Sequence, residues 1–332
     1  MTVRQNDSST FQAVKPIYIP PVPKRARELL PQSERETNDQ CLSPSSSLRL
    51  EIDEPSQTPF ADSRSSSLRS GYQEDWNLGI SQVWGIDFHS VTMEQTLMLI
   101  DDIIRVRKPT YAVTANLNYA MLCHRSSRLR EFTQRARLVL CDGMPILWRS
   151  RWNKVKLPER VAGADLIYRL AQRSQQLGHR IYLYGAAEGV AEKTATELQR
   201  LYPGCQIVGH MCPPFRNLSE AESRAQIDSI RQTAPDILLI ALGQPKGEFW
   251  IEDHLQQLQV PLCIQLGASF DFVAGTAKRA PKIFQRTGLE WLYRALSDPK
   301  RLVPRYAQNT LFLLKSIQAD LLAALDGNKQ RS

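Results

Sequence analysis

The chain has 332 residues, of which 42% are hydrophobic, so it is long enough to bury a core without disulfides or a structural metal. It carries 42 Lys and Arg against 34 Asp and Glu, and the net charge of +8 favours an anionic partner such as a phosphate, an acidic membrane surface or a nucleic acid. No uninterrupted apolar run approaches the roughly 18 residues of a spanning helix, no apolar signal segment follows Met1, and the six cysteines lack C-x-x-C spacing. We therefore expect a reduced, cytoplasmic protein that does not cross a membrane.

Residues 1–76 differ in composition from the rest of the chain. They are rich in Ser, Pro, Gln and charge, and "SPSSSLRLEIDEPSQTPFADSRSSSLRS" lacks the periodic apolar positions that offset the entropy of ordering a chain. We expect a disordered leader. A regulatory or tethering role and a plain extension both remain open.

From "QVWGIDFHS" onward, short apolar strands alternate with helical patterns. Thr92 and Gln95 resemble a capping box before the helix "MEQTLMLIDDIIRV". The later strands read "TYAVTAN", "RLVLCDG", "RIYLYG", "CQIVGHM", "DILLIALG" and "PLCIQLGASF", separated by helices such as "YAMLCHRSSRLREFTQRA" and "VAEKTATELQRLY". The alternation predicts an α/β fold over residues 77–285, with parallel sheets flanked by helices in Rossmann-like halves. Such sheets bind ligands at the carboxyl ends of their strands.

Polar and small residues follow several of these strands. Asp142 ends the strand "RLVLCDG", and the other strand-end candidates are Thr114, Asn116, Gly185, Gln244 and Lys246. An acid at this position can be a general base facing a cleft, or it can merely cap the next helix. From this segment alone the two interpretations stand equal.

Two strand-to-helix turns suit a negatively charged ligand. "YGAAEGV" places Gly185 at a turn whose free amides and helix dipole favour a diphosphate, although the segment matches neither G-x-G-x-x-G nor a P-loop. "LGQPKGEFW" places Gln244 and Lys246 at the electropositive start of a helix, with Glu248 close by. An anionic or sugar ligand fits the second turn, and a surface cap is the alternative.

The sequence has no motif for metal or covalent catalysis. No D-x-D triplet ends a strand, the five histidines have no ligand spacing, and neither G-x-S-x-G nor a Cys/His arrangement is present. We expect no catalytic metal, no covalent nucleophile and no cofactor.

The C-terminal region is basic and amphipathic. Residues 278–305 hold eight Lys and Arg against two acids, and Arg294, Arg301 and Arg305 could meet a pyrophosphate in forked geometry. A helical apolar stripe follows, formed by Leu311, Leu314, Ile317, Leu321 and Leu325. The stripe is compatible with core packing or with a membrane surface. We treat residues 286–332 as a separate appendage.

Eight blocks in order resemble the WecG/TagA/CpsF family of bacterial glycosyltransferases (glycosyltransferase family 26). The resemblance runs over about residues 83–310 and includes the blocks "TANLNYA", "CDGMP", "ERVAGADL", "YLYGAAEG", "YPGCQIVG", "PDILLIALGQPKGEFWI", "GASFDFVAGTAKRAP" and "GLEWLYRALSDPKRLVPRY". The resemblance implies inverting, metal-independent transfer of an N-acetylmannosamine-type sugar from a UDP-sugar to a polyprenyl-diphosphate-linked acceptor, in cell-surface polysaccharide synthesis.

The resemblance also implies roles for particular residues. Asp142 matches the family's general base, and Thr114, Asn116, Arg160 and Gln244 match pocket positions. The C-terminal arginines match an appendage that closes over the active site at the inner face of the plasma membrane. A pocket completed in this way could be formed within one chain or in a homo-oligomer.

Two segments depart from the family pattern. Gly247 in "PKGEF" stands where the family usually has Gln, and "QLGAS" replaces a more common Gly-Val-Gly-Ala. Gly247 leaves open a non-catalytic UDP-sugar-binding regulator or partner in polysaccharide assembly. Nucleic-acid binding rests on charge alone, and we do not expect it.

Overall fold

The computed structural model describes residue 76 and residues 78–281, 283–284, 290–297 and 299–329. Within the last two helices, the side chains at 292, 294, 297, 301, 323, 324 and 326–329 lie outside the description. The leader predicted for residues 1–76 therefore lies outside the described residues except for Trp76. So does the predicted boundary at 285/286.

The elements alternate between strands and helices along most of the described chain. Their bounds are β1 Ile80–Val83, β2 Ile86–His89, α1 Met93–Val106, β3 Thr110–Ala115, α2 Leu117–Arg125, α3 Ser127–Arg135, β4 Leu138–Cys141, α4 Met144–Ser150, α5 Gly163–Leu177, β5 Arg180–Gly185, α6 Val190–Leu201, β6 Gln206–Met211, α7 Glu220–Gln232, β7 Ile237–Ala241, α8 Lys246–Leu258, β8 Leu262–Gln265, α9 Ser269–Val273, α10 Glu290–Ser297 and α11 Pro299–Lys329.

Strands β3 to β8 form one parallel sheet in the order β4-β3-β8-β7-β5-β6. The first two strands pair separately as an antiparallel hairpin around the Trp84–Gly85 turn, so "QVWGIDFHS" is not part of the parallel sheet. The predicted α/β fold with a parallel sheet is confirmed. Because β8 lies between β3 and β7, the ends of strands from both halves of the sequence meet at one edge.

Helices cover both faces of the sheet because its strands are apolar on both sides. On β7, Ile237 and Leu239 face a core formed with α1, α5, α6 and α9, whereas Leu238 and Ile240 face a second core formed with α2, α3, α4, α7 and α8. All four residues are fully buried. The sheet is therefore enclosed on both faces, and its strand ends are the places where ligands can reach it.

The helix predicted for "YAMLCHRSSRLREFTQRA" is interrupted in the structure. Ser126 adopts an extended conformation between α2 and α3, and its hydroxyl accepts a hydrogen bond from the backbone N–H of Leu129 at 3.2 Å. The apolar period continues through the break, which is why the pattern alone did not reveal it. Ser126 acts as the N-cap of α3.

The last helix, α11, packs along the second core. Its Asp320 accepts two hydrogen bonds from the Arg149 guanidinium, at 2.6 and 2.8 Å, and one from the Trp84 indole at 3.3 Å. Phe312 meets the Trp84 ring edge-to-face at 5.8 Å. These contacts fix α11 against α4 and the β1–β2 hairpin.

Candidate active site

Two predicted site residues meet where β3 and β4 end. Ala115 and Cys141 are register partners, so Asn116 and Asp142 follow them side by side. The backbone N–H of Asp142 donates to the carbonyl of Ala115 at 2.9 Å. A Cβ on Gly143 would lie 3.4 Å from the Cα of Asn116, so the two turns are in contact.

Asp142 does not cap the helix that follows it. The N-cap of α4 is Gly143, and no side chain caps that end. The carboxylate instead receives a backbone hydrogen bond from Gly163, at the start of α5. The interpretation of Asp142 as a cap for its own helix is therefore wrong, because its carboxyl is bonded to the start of α5 instead.

The surroundings of Asp142 raise its pKa to about 7 from an ordinary value of 3.8. Burial of the carboxyl is the main cause. The Arg160 guanidinium partly opposes it, while the carboxylates of Glu290 and Asp165 add to the rise. A carboxyl with this pKa exchanges its proton near neutral pH, as a general base must.

Arg160 reaches Asp142 because its loop runs beside β4. The backbone N–H of Val161 donates to the carbonyl of Cys141 at 2.8 Å. The guanidinium of Arg160 donates to Glu290 at 3.2 Å and lies 3.9 Å from Asp165. A half-buried cation thus stands beside the candidate base and is held by an acid from α10.

A second arginine joins the same cluster. Arg279 makes a bidentate pair with Asp165 at 2.6 and 2.8 Å, and its Nε lies 4.0 Å from Glu290. Neither arginine side chain is more than 20% exposed. Two acids and two arginines therefore lie close enough to Asp142 to interact with its carboxyl electrostatically.

Thr114 and Asn116 use their side chains partly to hold the site together. The Thr114 hydroxyl is buried and donates to the backbone carbonyl of Gln265 at 3.0 Å, joining β3 to β8. The Asn116 side-chain oxygen accepts from the N–H of Tyr119 at 3.1 Å, as the N-cap of α2. Both residues lie at the edge occupied by Asp142.

The β7–α8 turn brings Gln244 and Lys246 to the same edge. Pro245 is the N-cap of α8, so Lys246 is the first residue of the helix and is exposed. Gln244 accepts a hydrogen bond from Asn118 at 3.1 Å. Asn118 in turn accepts one from Arg305 of α11 at 3.0 Å.

This chain of hydrogen bonds joins the C-terminal helix to the strand ends. Of the three predicted arginines, the structure brings Arg305 to the site; the side chains of Arg294 and Arg301 lie outside the described residues. The arginine of the appendage therefore reaches the pocket within a single chain.

Glu248 is buried in the first turn of α8. It is 3% exposed, its Oε2 has no hydrogen-bond partner in the described part of the chain, and burial raises its pKa to about 8. The carboxyl lies near Tyr119 and Cys123, whose pKa values it raises further. Glu248 is thus beneath the edge of the sheet rather than on its open side.

Gly185 ends β5 where the chain passes close to β7. Its φ is +109°, and a Cβ there would lie 2.8 Å from the carbonyl carbon of Ala241. The next residue donates its N–H to the carbonyl of Ala241 at 2.8 Å. Only glycine fits this turn, which leads to Gly189 at the N-cap of α6.

The prediction from sequence missed several residues of this cluster. Asn118, Asp165 and Glu290 are the clearest cases. Each lies within one of the sequence blocks quoted above, but none directly follows a strand, and the prediction relied on the residues at strand ends. Among the described residues, no group of three or more His, Cys, Asp or Glu side chains could hold a metal ion.

Comparisons with known proteins match most of the chain. Residues 81–324 fit the model described as "Glycosyl transferase WecG/TagA/CpsF family". A Bacillus spizizenii protein named N-acetylglucosaminyldiphosphoundecaprenol N-acetyl-beta-D-mannosaminyltransferase is 32% identical over 209 residues, which is 61% of this chain and 79% of the relative. A Staphylococcus aureus (strain MW2) protein of the same name is 27% identical over 249 residues, 74% of this chain and 96% of the relative.

Proposed function

Because the chain belongs to the WecG/TagA/CpsF family of glycosyltransferases, we propose that it transfers an N-acetylmannosamine-type sugar from a UDP-sugar to a polyprenyl-diphosphate-linked acceptor sugar. The two relatives above are named for mannosaminyl transfer to N-acetylglucosaminyldiphosphoundecaprenol. The observation that carries the proposal is Asp142, a carboxyl with a pKa of about 7 beside Arg160 at the strand ends.

The proposed chemistry is an inverting displacement that needs one base. The acceptor hydroxyl oxygen attacks C1 of the donor sugar, the bond from C1 to the UDP oxygen breaks, and the hydroxyl proton passes to Asp142. Charge then develops on the departing diphosphate. We assign its stabilisation to Arg160, Lys246, Arg305 and the amides of residues 187–189, beyond the Ala186 amide that is bonded to Ala241.

Hydrogen bonds within the protein already position the guanidinium groups of Arg160 and Arg305. Arg160 donates to Glu290, and Arg305 donates to Asn118, which also donates to Gln244. A cation held in place before the substrate binds loses less entropy when the diphosphate arrives. Thr114, Asn116 and Gln244 are the remaining pocket residues of the proposal, with Glu248 beneath them.

The test is a panel of donors and acceptors. UDP-N-acetylmannosamine, its uronic-acid form and UDP-N-acetylglucosamine are each offered with a short-chain prenyl-diphosphate-N-acetylglucosamine, and UDP release and the disaccharide product are measured. We expect transfer with a mannosamine-type donor. UDP binding without product from any donor would refute the proposal and favour a non-catalytic UDP-sugar-binding regulator.

A matched pair of variants assigns the base. Asp142→Asn should abolish most turnover while UDP still binds. Asp236→Asn is the control, because Asp236 is also buried but accepts a hydrogen bond from the N–H of Arg180 at 2.9 Å, at the amino ends of the strands. Equal loss in both variants would indicate a folding defect rather than the loss of a base.

We also propose that α11 rests on the cytoplasmic face of the membrane that holds the acceptor. Four leucines of the predicted apolar stripe are more than half exposed, which does not fit core packing in the described chain: Leu311, Leu314, Leu321 and Leu325. Lys300 and Lys315 on the same helix are exposed cations that favour anionic lipid headgroups. None of the described helices combines the length and the apolar character of a membrane-spanning segment.

Liposome flotation tests this placement. The full chain should float with vesicles containing phosphatidylglycerol and less so at high salt. A chain ending at residue 285 should stay folded, fail to float and lose turnover. Flotation and turnover that both survive truncation would overturn the membrane role. A concentration-dependent dimer that does not float would assign the stripe to a homo-oligomer instead.

A further inference from the structure

A glutamine lies buried at the carboxyl end of a central strand of the parallel sheet. Gln265 ends β8, between its register partners Val113 on β3 and Ile240 on β7, and it is 3% exposed. The other residues of β8 are apolar and fully buried. A polar side chain here must make hydrogen bonds to offset its loss of water.

The carboxamide of Gln265 makes those bonds to the β7–α8 turn. In the orientation that satisfies both partners, its nitrogen donates to the carbonyl of Ile240 at 2.7 Å and its oxygen accepts from the N–H of Gly243 at 2.9 Å. The backbone carbonyl of Gln265 meanwhile accepts from Thr114. One residue therefore joins the end of β3 to the turn that carries Gln244.

The same carboxamide rests on Gly247. A Cβ built on Gly247 would lie 2.5 Å from the side-chain Cδ of Gln265, so a side chain at position 247 would displace the carboxamide from its present place. The N–H of Gly247 donates to the carbonyl of Gly243 at 2.9 Å. Gln265, Gly243 and Gly247 thus form a closed set of contacts around the turn.

Gln265 and Gly247 are complementary in size. The space beside Gly247, which has no side chain, is filled by the carboxamide of Gln265. Enlarging residue 247 alone would therefore cause a collision, and shortening residue 265 alone would leave a gap.

We propose that Gln265 is a positioning residue, whose carboxamide, seated on Gly247, holds the β7–α8 turn so that Gln244 and Lys246 meet the donor. The inference rests on the proposed function for its substrate, a UDP-sugar. In this proposal Gln265 supports the turn that contacts the substrate, and Gln265 itself does not touch the reacting atoms.

The experiment exchanges the pair. Gln265→Gly, Gly247→Gln and the double variant are compared with wild type for donor KM, kcat and hydrogen–deuterium exchange of residues 242–247. Each single variant should raise donor KM about tenfold, with a smaller change in kcat, and should speed exchange in the turn. The double variant should return donor KM and the exchange rate of the turn to within about threefold of wild type. In that variant the glutamine at position 247 supplies the carboxamide to the space left by residue 265.

Two further variants separate positioning from folding. Gln265→Met keeps the length of the side chain but removes both hydrogen bonds, and it should reproduce the faster exchange without unfolding the protein. Gln259→Gly is the matched control, because Gln259 is exposed at the other end of α8 with a φ of +54° that glycine readily adopts. It should change neither readout.

Unchanged donor KM and exchange in Gln265→Gly, or a double variant whose defects simply add, would overturn the proposal. Hydrogen exchange needs no substrate, so it reports on the turn even if the panel of donors fails. If the wild-type protein transfers no sugar but the double variant restores the slow exchange of the turn, the proposed function is contradicted and the positioning role is supported. If the wild-type protein transfers sugar and none of these variants changes donor KM or exchange in the turn, the positioning role is contradicted and the proposed function is not.

Discussion

Replacing Asp142 by Asn tests the base and its environment together. Asparagine keeps the size of the side chain and can still accept the backbone hydrogen bond from Gly163, but it cannot take a proton. We expect kcat to fall by about 100- to 10,000-fold, the usual contribution of a positioned general base. UDP affinity should change little, because Arg160 keeps its bond to Glu290.

The pH dependence follows from the raised pKa of Asp142. Wild-type kcat/KM should rise with pH until the carboxyl is ionised, with a midpoint near pH 7, and then level off. Below that midpoint the rate should fall about tenfold per pH unit, because only the ionised carboxylate accepts the proton. The residual activity of Asp142→Asn should lack this acid limb.

The raised pKa of Asp142 should also lower the free energy of unfolding of the wild-type protein as the pH rises. The unfolded chain releases the Asp142 proton near pH 3.8 and the folded chain near pH 7, so ionisation penalises the folded state as pH rises between those values. At 1.36 kcal/mol per pKa unit the full difference is about 4 kcal/mol, and water reaching a half-buried side chain lowers the expected effect to about 2–3 kcal/mol. Asp142→Asn should therefore be more stable than wild type at pH 8 and nearly equal to it at pH 4.

Urea denaturation at pH 4, 6 and 8 measures this difference, and single-turnover transfer over the same range measures the acid limb. A variant that gains nothing between pH 4 and pH 8 would show that the carboxyl is well hydrated. An acid limb that persists unchanged in Asp142→Asn would assign the titration to another group, and full activity would remove Asp142 as the base.

Three further outcomes are expected. Arg305→Ala should raise donor KM about tenfold, whereas Arg125→Ala, which removes an exposed contact to the same helix, should not; equal kinetics in both would refute the link to the pocket. Gly185→Ala should cost about 2–4 kcal/mol in urea denaturation because of its φ and the collision at β7, against about 1 kcal/mol for Gly178→Ala, which has open space. Asp320→Asn should lower stability by about 1–3 kcal/mol and expose α11 to limited proteolysis; unchanged proteolysis would show that the helix is held elsewhere.

Local patterns predicted the helices and strands well where burial is uniform. Runs such as "DILLIALG" are apolar on both sides because the strand is covered on both faces, and that makes a parallel strand recognisable. They failed at Ser126, where an extended residue interrupts a continuous helical period, and at Trp84–Gly85, where a turn makes two strands from one segment. Both failures are backbone changes confined to one or two residues, Ser126 in the first case and Trp84 with Gly85 in the second.

The strand-end rule found Asp142 but could not choose its role. Capping and catalysis need the same residue type at the same position, and the difference lies in what faces the carboxyl. Glu290 is 148 positions away along the chain, and Arg160 reaches Asp142 only because its loop runs along β4. The raised pKa is a property of that assembly.

The sequence by itself determined the α/β architecture, the strand ends that carry polar residues, and membership of a glycosyltransferase family, because periodicity and ordered motifs are properties of the chain read in order. Only the tertiary structure decided which distant residues meet. The path from Arg305 through Asn118 to Gln244, and the seating of Gln265 on Gly247, depend on β8 lying between β3 and β7 and on α11 packing beside α2. Strand order and helix docking are set by the packing of whole faces, and no local spacing in the chain records them.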